Sequence, residues 1–322
     1  MKITDYFYPE PDRQWEYSSQ LGIKYATARM PDSRMEETAG SLELLKALCE
    51  RYEERGFKVK VIEPAPPNQK IKQGLPGRDE EIERMITLIK NMGKLGIEVL
   101  CYNFVAHFNW VRTTFDYPER GGARVSEFDY SKLEDGLTEA GVITKEALWE
   151  NFAYMQKAIV PAAEEAGVKL ALHPDDPTVD QIRGVSRIFT SADALERAME
   201  IAPSPAAGIT MCQGCFAAMG EDVVKCIERF GDRIHFVHFR DVAGNKYKFH
   251  ETFHDNGPTD MAEVIRAYHR IGYHGYGRVD HVPAMAGEVG ERPGYANVGR
   301  LYAIGYLRGL LEMDGSLEEE NA

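Results

Sequence analysis

The chain has 322 residues, a formal net charge of −13, and 43% hydrophobic, 28% charged and 10% aromatic residues. That charge argues against a nucleic-acid or membrane-surface partner, since either would repel it, although a metal and a few local Arg or Lys residues can reverse the field inside one pocket and admit a small anionic substrate. No apolar stretch at the N-terminus suits a signal peptide, no run approaches the ~18 apolar residues of a membrane span, and five cysteines in so long a chain make no disulfide framework, so a reduced, cytoplasmic protein is predicted.

In chain order, short β-rich runs are each followed by a helical pattern. ITDYF (3–7) precedes a helical stretch at 10–20, KYATARM (24–30) one at 41–55, KVKVIEP (58–64) one at 79–95, and EVLCYNF (98–104) one at 145–166. KLALHP (169–174) precedes one at 191–202, AGITMC (207–212) one at 218–229, IHFVHFR (234–240) one at 259–271, and YGRVDH (276–281) one at 292–313. Eight alternations predict an α/β protein with the (β/α)8 TIM-barrel architecture, built as a single catalytic domain over 1–315 with a disordered tail at 316–322. Gly22, Gly56, Gly96, Gly167, Gly231 and Gly272 fall where helices should end in a left-handed residue, and Ser41, Thr144, Ser191 and Thr259 suit helix N-caps. Two insertions, 105–144 after the fourth strand and 241–258 after the seventh, should lie over the C-terminal face where barrel enzymes carry their active sites. A doubly wound open sheet is disfavoured because no glycine-rich phosphate turn follows an early strand.

The ends of the last four strands carry the chemistry. His173 ends the fifth, Cys212 the sixth, His238 the seventh, and Asp280 with His281 the eighth. Neighbouring strand ends share one rim of a barrel, so His173, Cys212, His238 and Asp280 can converge on one divalent ion. Two imidazoles, a thiolate and a carboxylate suit Mn²⁺, Fe²⁺, Co²⁺, Ni²⁺ or Zn²⁺ better than Mg²⁺ or Ca²⁺. Any one of these residues alone would read as core packing; their joint position makes the case. Cys212 is preferred to Cys215 because it lies nearer the strand; His235 and His238 fall on opposite strand faces, and His238 is preferred because it lies nearer the rim. His250 and Glu251, in the second insertion, read equally as a substrate clamp or a polar surface loop. Arg240, just past His238, and Arg112, in the first insertion, are candidates to meet a substrate carboxylate, with an exposed salt bridge as the bland alternative for both.

At these residues the chain resembles the D-mannonate dehydratase family. The resemblance is dense in Met211-Cys-Gln-Gly214, Ile234-His-Phe-Val-His-Phe-Arg240, Phe249-His-Glu251, Asp260-Met261, Arg278-Val-Asp-His281, Pro293-Gly-Tyr295 and Ala303-Ile-Gly-Tyr-Leu307. It continues in Ile71-Lys-Gln-Gly74, Arg78-Asp79, Gly96-Ile97, Cys101-Tyr-Asn-Phe104 and Trp110-Val-Arg-Thr113, covering most of the chain from about residue 58. The resemblance implies a divalent metal, usually Mn²⁺, on His173, Cys212, His238 and Asp280, and an acid–base pair of His281 and Tyr295. It also implies removal of water from D-mannonate to give 2-keto-3-deoxy-D-gluconate. The chain departs from the family pattern at Val282-Pro283, where a glycine usually follows Asp-His, and at Asn68, where a histidine is usual. The partner expected is therefore a small anionic sugar acid, with no nucleic acid or membrane, and a homo-oligomer is compatible with this reading. The alternative is a metal-dependent sugar isomerase or epimerase of the xylose-isomerase-like barrels.

Overall fold

The structure, a computed structural model, describes residues 1–30, 40–108, 110–288 and 294–318. Eight parallel strands close into a barrel: β1 (Lys2–Phe7), β2 (Tyr25–Ala28), β3 (Lys58–Ile62), β4 (Val99–Tyr102), β7 (Lys169–Leu172), β10 (Ala207–Cys212), β11 (Ile234–Phe239) and β14 (Tyr276–Val279). Around the barrel they run β1-β14-β11-β10-β7-β4-β3-β2. All eight predicted strands are present, and the (β/α)8 expectation holds.

The strand period of two divides the side chains. Tyr25, Val61, Val99, Cys101, Ala171, Phe236 and Tyr276 form a cluster inside the barrel. Residues of opposite parity, such as Ala26, Ile62, Leu100, Leu170 and Val237, pack outward with the helices in the main core. His238 is two residues beyond Phe236 and shares its inward face. His235 has the opposite parity, is buried, and lies with Nδ1 3.0 Å from the Leu170 carbonyl.

The helical punctuation is largely as expected. All six glycines proposed as helix ends have positive φ. Ser41, Thr144 and Ser191 accept hydrogen bonds from the N–H groups of Leu44, Ala147 and Ala194 as N-caps. Thr259 is a correction. Asp260 caps the helix Met261–Arg270 through Glu263 N, while Thr259 donates its own N–H and hydroxyl to Asp241. The helix expected at 218–229 is two helices, Gln213–Met219 and Val223–Phe230. Left-handed Gly220 (φ 84°) ends the first, and Asp222 caps the second. The last helix runs Asn297–Asp314, starting later than the pattern suggested, and residues 291–293 lie outside the described residues.

The insertions fold together, which the sequence reading does not foresee. The first contains β5 (Thr114–Pro118) and β6 (Arg124–Asp129), and the second contains β12 (Val242–Asn245) and β13 (Lys248–Glu251). They form one antiparallel sheet, β12-β13-β6-β5, with Phe249 opposite Phe128 and His250 opposite Glu127. Phe128, Val179, Ile182, Ala218, Val242 and Phe249 make a satellite core beneath it. Each large apolar side chain buried there contributes about 1.5–3 kcal/mol, enough to fix the sheet over the barrel mouth. Between β7 and the following helix, β8 (Gln181–Ile182) and β9 (Val185–Ser186) add a short hairpin. At the other end of the barrel, the Met1 amino group donates to the Ser316 carbonyl and Glu318 N donates to the Met1 carbonyl. The tail expected to be disordered from 316 is therefore tied down as far as Glu318, and 319–322 lie outside the described residues.

Candidate active site

A cavity of about 360 Å³ opens at the C-terminal ends of the strands. His173, His238, Asp280, His281 and Tyr295 line it, together with Tyr6, Arg29, Glu63, Asn103, Trp110, Asp176 and Arg278. Strand β14 stops at Val279, so Asp280 and His281 lie beyond regular β geometry and both reach the same cavity. Val282 N donates to the Gly294 carbonyl, which brings Tyr295 back to the mouth.

His173, Cys212, His238 and Asp280 each offer one ligand atom, and these atoms lie within 4.8 Å of one another. His173 Nε2 is 3.2 Å from His238 Nδ1, and Asp280 Oδ2 is 3.7 Å from His238 Nδ1 and 4.0 Å from Cys212 Sγ. Their orientation is held from outside the cluster. His173 Nδ1 lies 2.6 Å from the Pro174 carbonyl, so the proton belongs on Nδ1 and the Nε2 lone pair faces inward. Asp280 Oδ1 accepts from Arg278 (2.9 Å) and from Tyr295 OH (3.2 Å), leaving Oδ2 to the cluster. Burial opposes ionisation of Cys212, but the Cys215 thiol and the charges of His173 and Arg240 outweigh it and hold the Cys212 thiol well below its ordinary range. Cys215 is pushed up, first by burial and then by its neighbour Cys212. Burial pulls His173 down, but Cys212, Asp280 and Glu63 together raise it to about 9. A thiolate and a carboxylate converging on inward imidazole nitrogens is a donor set that fits a divalent transition ion. A second group, Glu63, Cys101 and His238, is also close, but both Glu63 oxygens already accept from Arg278, at 2.8 and 2.9 Å.

Arg112 and Arg240 do not line the cavity. Both are fully buried in an ionic network beneath it. Arg112 makes a two-point pair with Asp176 (2.8 and 2.8 Å) and reaches Glu251 (2.9 Å). Arg240 meets both Glu251 oxygens (2.8 and 2.7 Å) and Asp176 (3.0 Å). Asp176 and Glu251, remote in sequence, are the carboxylates that both arginines meet in the structure. Gly214 makes room for this network, since a Cβ there would lie 2.9 Å from Arg240 Cγ.

Adjacent residues of β13 face opposite ways, which separates the other two candidates. His250 stacks on Tyr117 (ring centroids 4.4 Å apart, 24°) and is not among the residues lining the cavity. Glu251 points inward, and besides the arginines its Oε1 lies 3.1 Å from His281 Nδ1. Burial alone would raise the Glu251 carboxyl; Arg240 first, then His281 and Arg112, hold it well below the usual carboxylate range. Glu251 therefore orients His281 rather than facing substrate. With Nδ1–H directed at Glu251, His281 presents Nε2 to the cavity. Trp110 packs against the imidazole at 4.5 Å, and Tyr295 meets its edge at 5.5 Å. The Tyr295 phenol is held well above its ordinary range by burial and by Asp280. Pro293, from the Pro-Gly-Tyr motif, lies outside the described residues. Asn68 sits away from this cavity, with Nδ2 4.0 Å from Met85 Sδ.

Sequence reasoning missed Glu63, Asp176, Arg278 and Arg29. A signal existed for three of them. Glu63 directly follows β3, Arg29 directly follows β2, and Asp176 lies three residues past His173, all at the catalytic end of barrel strands. Arg29 is the guanidinium that lines the cavity over Tyr8, 5.6 Å from the ring centroid.

The family model for D-mannonate dehydratase (UxuA) matches residues 22–142 and 137–319, so the likeness begins well before residue 58. A mannonate dehydratase from Streptococcus agalactiae serotype III is 38% identical over 305 residues, covering 84% of this chain and 86% of the relative. The crystal structure of mannonate dehydratase from Streptococcus suis serotype 2 superposes with a TM-score of 0.90 at 34% identity, covering 99% of this chain and 96% of that one. D-Psicose 3-epimerase from Clostridium cellulolyticum H10 shares the fold alone, with a TM-score of 0.63 at 15% identity over 97% of this chain and 99% of that one. The chain belongs to the D-mannonate dehydratase family of hydro-lyases.

Proposed function

We propose that this protein removes water from D-mannonate to give 2-keto-3-deoxy-D-gluconate, with Mn²⁺ held by His173, Cys212, His238 and Asp280. The observation that carries this reading is the clustering of that four-residue donor set, three of whose members line one cavity with His281 and Tyr295. The difficulty of the reaction is a very weakly acidic proton on the carbon next to a carboxylate. A divalent ion at the cluster would supply a Lewis acid for the carboxylate and C2 hydroxyl oxygens.

The chain's own groups supply the proton traffic. His281, its Nδ1–H held by Glu251, presents Nε2 as the base for the C2 proton. Tyr295 keeps its proton at neutral pH and suits the acid that helps the C3 hydroxyl leave as water. Trp110 covers His281 and limits water at the base. Arg29 replaces Arg112 and Arg240 as the cation proposed to meet the substrate's anionic end.

The isomerase alternative is disfavoured, since likeness to sugar epimerases extends only to the fold. Protein stripped with a chelator should be inert towards D-mannonate and regain turnover with Mn²⁺. Metal-dependent conversion of a ketohexose, with D-mannonate untouched, would reverse this preference.

Cys212→Ser should weaken metal retention by more than the about 10–100-fold typical of losing an outer-shell partner. Cys215→Ser should retain the ion, because Cys215 contributes no atom to the four-residue cluster. Metal analysis of the two variants after dialysis checks this, and the reverse order would assign the ligand to Cys215.

A further inference from the structure

Beyond the metal cluster, the main cavity adjoins a second recess of about 260 Å³ lined by Pro64, Pro67, Gln69, Lys72 and His107. The two share Pro64 and Asn103. Lys72 lies on the short helix Gln69–Gln73 after β3 and is only 4% exposed. Its Nζ donates to Asn103 Oδ1 at 2.9 Å, and Val105 N donates to the same oxygen at 3.3 Å. A backbone N–H can only donate, so both contacts fix which end of the Asn103 amide is oxygen. Asn103 Nδ2 is left without a protein partner among the described residues, on a side chain that lines the substrate cavity.

The segment carrying Asn103 is braced against the same helix. Gln69 Nε2 donates to the Val105 carbonyl (3.2 Å), and Gln69 Oε1 accepts from His107 N (2.7 Å). His107 has φ 60°, a left-handed conformation that costs a non-glycine residue free energy and persists where its surroundings hold it. Asn151 Nδ2 ties the helix down in turn through the Lys72 carbonyl (3.1 Å). Burial holds the Lys72 amine down to about 7, against the raising influence of Asp175 and Glu81. A buried amine on a braced helix, reaching one amide oxygen, has the form of an orienting contact.

We propose that Asn103 is a substrate-binding residue whose amide nitrogen donates to a hydroxyl or carboxylate oxygen of the sugar acid, and that Lys72 is the positioning residue that fixes the amide that way round. The inference rests on the proposed function, because a polyhydroxy acid needs hydrogen-bond partners along its length beyond the metal cluster. Asn103 supplies one on the β4 side of the cavity, next to Pro64.

The test is steady-state kinetics with D-mannonate on Mn²⁺-loaded Asn103→Ala, Lys72→Met and the double variant, with metal content and Tm measured on each. Asn103→Ala should raise KM by about 10-fold, as for a lost hydrogen bond to a charged or polar partner, with metal content unchanged. Lys72→Met should raise KM by a smaller factor in the wild-type background and by none in the Asn103→Ala background, since its effect passes through the amide. Asn103→Asp, which keeps the shape and replaces the donor with a negative oxygen, should raise KM further than Asn103→Ala. Wild-type KM in Asn103→Ala overturns the substrate contact. The same KM penalty for Lys72→Met in both backgrounds overturns the positioning role. A wild-type protein inert towards D-mannonate would overturn the functional reading and this inference with it, an outcome distinct from an active wild type with indifferent variants.

Discussion

Tyr295→Phe is expected to retain the fold and the metal while losing about 10²–10⁴ in dehydration rate, the usual consequence of removing a general acid or base. The change deletes one oxygen, whose contact in the structure is a 3.2 Å hydrogen bond to Asp280 Oδ1. Arg278 still donates to that oxygen at 2.9 Å, so Asp280 keeps its orientation towards the cluster. His281→Asn should lose a similar factor, because His281 both contacts Glu251 directly and lines the cavity. The two losses should not multiply, since both groups serve one proton-transfer sequence. Single-turnover rates on metal-loaded variants check this. Near-normal turnover in the Phe variant would leave Tyr295 as a packing residue against Tyr6, 5.4 Å away between ring centroids.

Glu251→Gln is expected to cost stability on a scale unusual for an isosteric change, about 3–5 kcal/mol, because it removes one partner from a buried charge network. The side chain is 1% exposed and shares Arg112 and Arg240 with Asp176, while Arg240 also lies 3.9 Å from Asp280 Oδ2. Without its charge, two buried guanidinium groups would share Asp176, with Asp280 reaching Arg240 only at 3.9 Å. The midpoint of urea unfolding should fall accordingly. Activity should fall with it, through the loss of the acceptor that orients His281. Arg240→Met follows the same logic and should lower stability rather than raise KM alone. The pH dependence has a defined sign. Despite burial, arginine neighbours hold the carboxyls of Glu251, Glu63 and Asp176 below their ordinary range. Their stabilisation is therefore complete above the unfolded-state values of about 4 and is lost as pH falls through the depressed folded values. In Glu251→Gln, the acid limb of a pH–stability curve should flatten. An unchanged curve and midpoint would mean that Glu251 carries no net stabilising charge interaction.

What was legible in the sequence is what depends on local pattern and strand parity. The barrel strands, the six helix-ending glycines and the inward set His173, Cys212, His238 and Asp280 all follow from periodicity and from the rule that strand ends share a rim. The choice of Cys212 over Cys215 likewise follows from which residue completes β10. What escaped is what depends on pairing between remote segments. The joint sheet of β5, β6, β12 and β13 arises because two separate insertions bury Phe128 and Phe249 against each other, and no local period announces that. The ion pairing of Arg240 and Arg112 was hidden for the same reason. Whether an arginine meets substrate or an internal carboxylate is decided by Asp176 and Glu251, each more than ten residues from Arg240 along the chain. Thr259 and Asp260 are equally good capping residues, and the structure chooses the aspartate because Asp241 claims the threonine.

The central claim is dehydration by the His281–Tyr295 pair at the four-residue metal cluster, and mass-resolved product analysis of D-mannonate turnover in D₂O tests it most directly. Removing the C2 proton and the C3 hydroxyl leaves an enol that ketonises by taking a proton from solvent at C3. The account predicts a 2-keto-3-deoxy acid lighter than substrate by one water and carrying solvent deuterium at C3, formed by Mn²⁺-loaded wild type and lost in Tyr295→Phe. A product of unchanged molecular formula, isomerised or epimerised, would contradict it.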